Sequence, residues 1–143
     1  MAKSVKPLEI LVVEDDDIDA MGIERAMRKL RILNTMHRAK DGIEALSILR
    51  ETAPARLSKP YIILLDINMP RMNGLEFLAE LRVDNNLSDA VVFVLTTSKA
   101  DEDRIAAFNY NVAGFMVKSN LEEGFISALG LVEHYWRMVE LPV

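Results

Sequence analysis

The chain has 143 residues, half of them apolar, with a formal net charge of −5 and no cysteine. That length suits one domain able to bury its own core without a disulfide or a structural metal. The missing cysteines exclude disulfides, zinc–thiolate sites and cysteine nucleophiles, and the acidic balance argues against a general nucleic-acid binder.

The first residues, Met1-Ala2-Lys3-Ser4-Val5-Lys6-Pro7, lead straight into an apolar stretch with no signal-peptide pattern. No apolar run approaches the roughly 18 residues of a membrane span. The protein is therefore expected to be soluble and cytoplasmic, with no membrane partner. Leu8–Val13 is the first strand candidate, followed by a helical pattern over Ile18–Leu30 with Ile23, Met27 and Leu30 on one face. A weaker strand is expected at Thr35–Ala39. A helix over Asp41–Arg50 gathers Ala45, Ile48 and Leu49, with Asp41 placed to cap it. Glu51–Pro60 holds two prolines and reads as a loop. Tyr61–Leu65 is the next strand, and Leu75–Val83 repeats Leu75, Leu78, Ala79 and Arg82 at helical spacing. Val91–Leu95 and Phe115–Val117 complete the strands. Ala100–Tyr110 and Leu121–Val139 complete the helices, with Asn120 as an N-cap for the last.

Short Ile/Leu/Val-rich runs alternating with amphipathic helices describe strands buried on both faces of a parallel sheet. The predicted fold is α/β, a doubly wound five-stranded parallel sheet of (βα)5 order. The whole of 1–143 is read as one domain, with a core at about 8–133 and a C-terminal helix and tail at about 121–143. About 25 residues follow the fifth strand, too few for an effector domain.

Ligands of open parallel sheets bind at the carboxyl ends of the strands. The first strand delivers Glu14, Asp15, Asp16 and Asp17 there, and the third delivers Asp66, then Ile67, Asn68, Met69 and Pro70. The fourth delivers Thr96, Thr97 and Ser98, and the fifth Lys118 and Ser119. Two carboxylates about 4 Å apart repel by roughly 4 kcal/mol at an effective dielectric near 20. A pocket with three of them must protonate one or bind a cation, and hard oxygen donors suit Mg2+. Asp66 can act as a nucleophile toward phosphorus, with Lys118 as a point charge and Thr96 as a hydroxyl donor. Each group alone has an ordinary reading as a solvated loop, a turn, a cap or a surface lysine. Their joint placement at successive strand ends does not. Asp16 and Asp17 read as helix-start residues.

These residues resemble the receiver domain of two-component response regulators. The anchors are Leu11-Val12-Val13-Glu14-Asp15, Leu65-Asp66-Ile67-Asn68-Met69-Pro70 with Gly74, Thr96 and Lys118. The spacings of 30 residues from Asp66 to Thr96 and 22 from Thr96 to Lys118 suit the family. Asp15 to Asp66 spans 51, longer than in short members, and the loop at Glu51–Pro60 absorbs the excess. The resemblance implies a flavodoxin-like receiver fold with Asp66 as phosphoacceptor. It implies a Mg2+ (or Mn2+) ion held by Asp15, by Glu14 through water, by Asp66 and by the backbone carbonyl of Asn68. Thr96 would move toward the phosphoryl group, Lys118 would pair with it, and Phe115 would be the aromatic switch. Ser119 stands where many members carry proline, commonly after a cis bond. Phe115 has no hydroxyl, so its switch would work by packing alone.

Val117-Lys118-Ser119-Asn120-Leu121 and His134-Tyr135-Trp136-Arg137-Met138-Val139-Glu140-Leu141-Pro142 look like the single-domain regulators associated with bacterial phytochrome kinases. The implied partners are a histidine kinase, with a bacterial phytochrome as candidate, and a downstream protein or phosphotransfer partner. The last helix carries apolar residues beyond one core stripe, Ile126, Tyr135 and Met138 among them. They predict either a homodimer contact or cover by the tail. His37 and His134 read as structural. Two other functions stay open: a pseudo-receiver that binds partners without phosphorylation, and a phosphohydrolase with Asp66 as nucleophile. The second is disfavoured because Asn68 stands where haloacid-dehalogenase-like phosphatases favour a second acid.

Overall fold

The computed structural model describes residues 8–52, 57–67, 69, 72–97 and 106–126. Five strands are present: β1 (Glu9–Val13), β2 (Met36–Ala39), β3 (Tyr61–Asp66), β4 (Val91–Thr96) and β5 (Gly114–Val117). They form one parallel sheet in the order β2-β1-β3-β4-β5. The connecting helices are α1 (Asp17–Lys29), α2 (Gly42–Leu49) and α3 (Gly74–Val83). Residues 106–108 are helical before β5, and residues 121–126 after it.

The strands are apolar throughout because both of their faces are covered. Successive side chains point to opposite sides, so each strand feeds two cores. Leu11, Val13, Ile63, Leu65, Val92 and Val94 pack against α2 and α3 on one side. Ile10, Val12, Ile62, Leu64, Phe93 and Leu95 pack on the other with Ile23 and Met27 of α1 and with Phe125. Each fully buried Leu, Ile or Val contributes about 1.5–3 kcal/mol, enough to fix the strand register wherever such residues alternate.

The starts of α1 and α2 follow the sequence reading, and α3 has a cap the sequence reading did not name. Asp16 caps α1 by accepting from the backbone N–H groups of Ile18 and Asp19, and Asp41 caps α2 through Glu44. Asn73 caps α3 in a reciprocal pair with Glu76. The ends differ by small amounts. Arg31 and Asn111 adopt positive φ, of 57° and 58°. The turn at Asn111 follows the helical residues 106–108, so that helix stops before Tyr110. The part of the Ala100–Tyr110 prediction at 100–105 lies outside the described residues, as does the last helix beyond 126.

Two expectations are corrected. Asn120 is not an N-cap: a 3-10 turn, Lys118–Asn120, runs directly into the helical residues 121–126, and the Asn120 amide donates to Glu123 instead. The turn takes up the position where a cap would stand. In α3 the core face is set by Phe77, Leu78 and Leu81 rather than by Leu75 and Ala79, which are only half-buried. Among the described residues the cis peptide bond is Lys59–Pro60, and Lys118–Ser119 is trans. No helix of the described residues is long and apolar enough to cross a membrane.

Candidate functional site

Strand register brings the site together. Val13 is level with Leu65, so Glu14 and Asp66 stand side by side one step later. Asp66 is level with Leu95, and Thr96 with Val117, the residue before Lys118. Neighbouring strands lie about 4.8 Å apart, close enough for a carboxylate from each of two strands to share one small volume. One oxygen from each of Glu14, Asp15 and Asp66 lies within 4.8 Å of the others. Glu14 and Asp66 are buried, Asp15 half-buried, and Thr96 is buried at the end of β4.

Lys118 reaches into this group from the edge strand. Its ammonium Nζ is 2.6 Å from Glu14 Oε1, 2.9 Å from Asp19 Oδ2 and 3.3 Å from Asp66 Oδ2. Its side chain is only 12% exposed. Burial works against the ammonium charge, but its close contacts to the accepting oxygens of Glu14 and Asp19 and the charge of Asp66 outweigh it and hold Lys118 above its ordinary value. Glu14 moves the other way for an acid. Burial, then a hydrogen bond shared with Asp66, pushes its carboxyl up to about 8, against the pull of Lys118.

The surrounding backbone fixes the acids. Asp16 N–H donates to Glu14 Oε2 at 3.3 Å, leaving Oε1 turned toward Lys118. That oxygen is buried and takes no well-directed hydrogen bond; the lysine stands close but off line. Arg38, near the end of β2, donates from Nε to the Glu14 carbonyl at 3.0 Å and from Nη1 to Asp17 at 2.7 Å. The Arg38 guanidinium holds the exposed Asp17 carboxyl below the usual carboxylate range. Behind Asp66, the Gly74 N–H donates to Ile67 O at 3.1 Å. A Cβ at Gly74 would lie 2.6 Å from Ile67 Cα and 2.9 Å from Asp66 O, so α3 abuts the chain at Asp66 and Ile67 backbone to backbone.

The donor set fits a hard divalent cation: three carboxylates converge and a buried carboxylate oxygen lacks a directed partner. Glu14, Asp15, Asp66 and Lys118 are thus brought together as the sequence suggested, with Thr96 at the adjoining strand end. Asn68 lies outside the described residues. Phe115 is half-buried on β5 and meets Phe108 edge to face, with centroids 5.0 Å apart. Of the predicted dimer surface, Ile126 is described and exposed, while Tyr135 and Met138 lie outside the described residues. His37 is structural as expected, paired with Glu9 at 2.8 Å; His134 lies outside the described residues. Two site residues escaped the sequence reading. Asp19 lies in the first turn of α1, directly after the strand end that carries Glu14 and Asp15. Arg38 carried no signal beyond its place late in a weak strand.

The model of the response regulator receiver domain matches residues 10–129 of the chain. The chain is 32% identical over 142 residues to the response regulator Rcp1 of Synechocystis, covering 98% of this chain and 97% of that protein. Rcp1 in its Mn(2+)-bound form superposes with a TM-score of 0.71 at 29% identity, over 96% of this chain and 100% of that one. A two-component response regulator from Legionella pneumophila is 38% identical with a TM-score of 0.76, covering 87% and 96% of the two chains. The phosphorylated cyanobacterial phytochrome response regulator RcpA gives 30% and 0.77, covering 97% and 100%. The likeness to regulators associated with phytochromes, first read from Val117–Leu121 and the C-terminal segment, is thus met again over nearly the whole chain.

Proposed function

The chain belongs to the response regulator receiver domain family, and we propose that it acts as a single-domain phosphorylation switch with Asp66 as phosphoacceptor. The observation that carries this reading is the convergence of three carboxylates with the Lys118 ammonium 3.3 Å from Asp66 Oδ2. In this reading an Asp66 carboxylate oxygen attacks the phosphorus of a phosphohistidine on a histidine kinase. The new O–P bond replaces the N–P bond, whose electron pair stays on the imidazole nitrogen. Glu14, Asp15 and Asp66 would hold Mg2+ or Mn2+, which when bound neutralises charge on the reacting phosphoryl oxygens. Lys118 donates to a phosphoryl oxygen, and the Thr96 hydroxyl to another.

The phosphoryl group brings about two negative charges. Recruitment of Thr96 to them would let Phe115 turn inward from Phe108 and shift the population toward a second surface around β4 and β5. The output is a protein contact or onward phosphoryl transfer. The likeness to the cyanobacterial phytochrome response regulator RcpA favours a bacterial phytochrome as the kinase. Ile126, 63% exposed on the last helix, supports a homodimer contact there. Sedimentation of the full chain against a version ending at Arg137 tests that contact, and a monomer in both would remove it.

The direct test is intact mass after incubation with acetyl phosphate and Mg2+. The expected result is a gain of one phosphoryl group in the wild type, none in Asp66→Asn, and none with chelator. No gain with acetyl phosphate or with a kinase would favour a binding module that works without phosphorylation. Turnover of small phosphoesters would favour a hydrolase.

A further inference from the structure

Lys118 has three ammonium protons and faces three carboxylates, those of Glu14, Asp19 and Asp66. Of the three, the contact with Asp19 is the directed hydrogen bond, while the Glu14 oxygen takes none. A phosphoryl oxygen arriving on Asp66 therefore meets an ammonium already aimed at the start of α1. Glu14 and Asp66 belong to the oxygen cluster able to hold a cation, and Asp19 does not. Glu14 and Asp66 would be held by a cation bound in that cluster, and Asp19 would then remain as the counter-ion of the lysine.

The Asp19 contact is well built. Lys118 Nζ donates to Asp19 Oδ2 at 2.9 Å across 99 positions of sequence. Asp19 itself is fixed in the first turn of α1, where its backbone N–H donates to the cap Asp16 at 3.1 Å. Its side chain is 39% exposed, so water can replace the lysine when it leaves. Resting on the phosphoacceptor reading above, we propose that Asp19 is a positioning residue that competes with the phosphoryl group for Lys118. It parks the lysine at the start of α1 in the resting state and thereby sets how tightly the switched state is held.

The test uses the full chain with saturating Mg2+ and beryllofluoride as the phosphoryl probe, binding being followed by fluorine NMR. Asp19→Asn should bind the probe about three- to fivefold more tightly, the scale of one partly exposed ion pair. Asp19→Glu, which keeps the charge, should remain near wild type. In a Lys118→Ala background the Asp19→Asn gain should disappear, because competition for the lysine is then impossible. A weaker or unchanged affinity in Asp19→Asn overturns the proposal. So does an equal gain with and without Lys118, which would reflect only the general field at the start of α1. Thermal melts of the variants separate these effects from loss of fold. A wild type that binds no beryllofluoride overturns the phosphoacceptor reading itself, and this inference with it.

Discussion

Arg82 and Lys118 sit at opposite ends of the same sheet, and their partners differ in kind. Arg82, near the end of α3, donates to four backbone carbonyls. Nε reaches Tyr110 O at 2.7 Å, Nη1 reaches Ala90 O at 2.7 Å and Ser88 O at 3.0 Å, and Nη2 reaches Asn111 O at 3.2 Å. These carbonyls immediately precede β4 and β5, so one planar fork ties two strands at their amino ends. Lys118 binds three carboxylates at the carboxyl ends. Burial pulls the guanidinium below its ordinary value, while the acids hold the ammonium above its own. Carbonyls have no rival for Arg82. In the proposed switch, every partner of Lys118 would be claimed instead by a cation or rivalled by a phosphoryl group. One end of the sheet is built to stay, and the other to exchange.

The largest break in that comparison comes from Arg82→Ala. It strands several carbonyls and should lower unfolding stability by about 3 kcal/mol. The loss should be the same with and without Mg2+, as read by urea unfolding. Arg82→Lys should recover little, because an ammonium cannot reproduce the fork. A loss that depended on Mg2+ would mean that the two ends are not separate.

The charged end should respond to pH where the other does not. The Glu14 carboxyl is raised in the folded state from its ordinary 4.5 to about 8. The unfolded chain gives up that proton first, so this contribution to stability is whole below about 4.5 and is lost as pH rises through 8. Without metal, the melting temperature should slope downward across that window. Glu14→Gln should flatten the slope, and Mg2+ should raise the melting temperature most at the alkaline side, where the carboxylates are free to bind it. Melts across pH with and without chelator check all three.

Gly74→Ala comes next in size. Its Cβ would meet backbone rather than a movable side chain, and such overpacking costs about 1–3 kcal/mol. Phosphorylation by acetyl phosphate should slow along with the loss of stability, because the displaced atoms include the Asp66 carbonyl. An unaltered rate would show that the loop can shift without moving the carboxylate. Smaller still, Asp16→Ala removes the side-chain cap of α1 and should cost about 1 kcal/mol, while the backbone N–H that steadies Glu14 stays in place.

The sheet was legible because burial on both faces leaves nearly uninterrupted apolar runs, and β1, β3 and β4 carry them. The site was legible because Glu14, Asp66, Thr96 and Lys118 each end or follow such a run. The face of α3 was not: in Gly74–Val83 apolar residues occur on nearly every side, so helical spacing alone could not choose Phe77 and Leu81 over Leu75 and Ala79. Arg82 looked like part of a core stripe, and only the path of the chain before β4 and β5 reveals what its fork binds. Asp19 stayed hidden for a different reason. An acid in the first turn of a helix already has an ordinary explanation in the helix dipole, and its lysine partner is 99 positions away.

Gly22 gives the finest test of the division between the two ends. It lies in the middle of α1, and a Cβ placed there meets nothing within 4 Å. Its φ is not positive, so alanine can adopt the same backbone. Gly22→Ala should then raise stability by roughly 0.5–1 kcal/mol through helix propensity alone. The same helix carries Asp16 and Asp19 in its first turn. If the middle of α1 is plain scaffold, Mg2+ affinity and the rate of phosphorylation should not change. A more stable variant with altered Mg2+ affinity would show instead that the charged end draws on the flexibility of α1, and that exchange extends well beyond the strand ends.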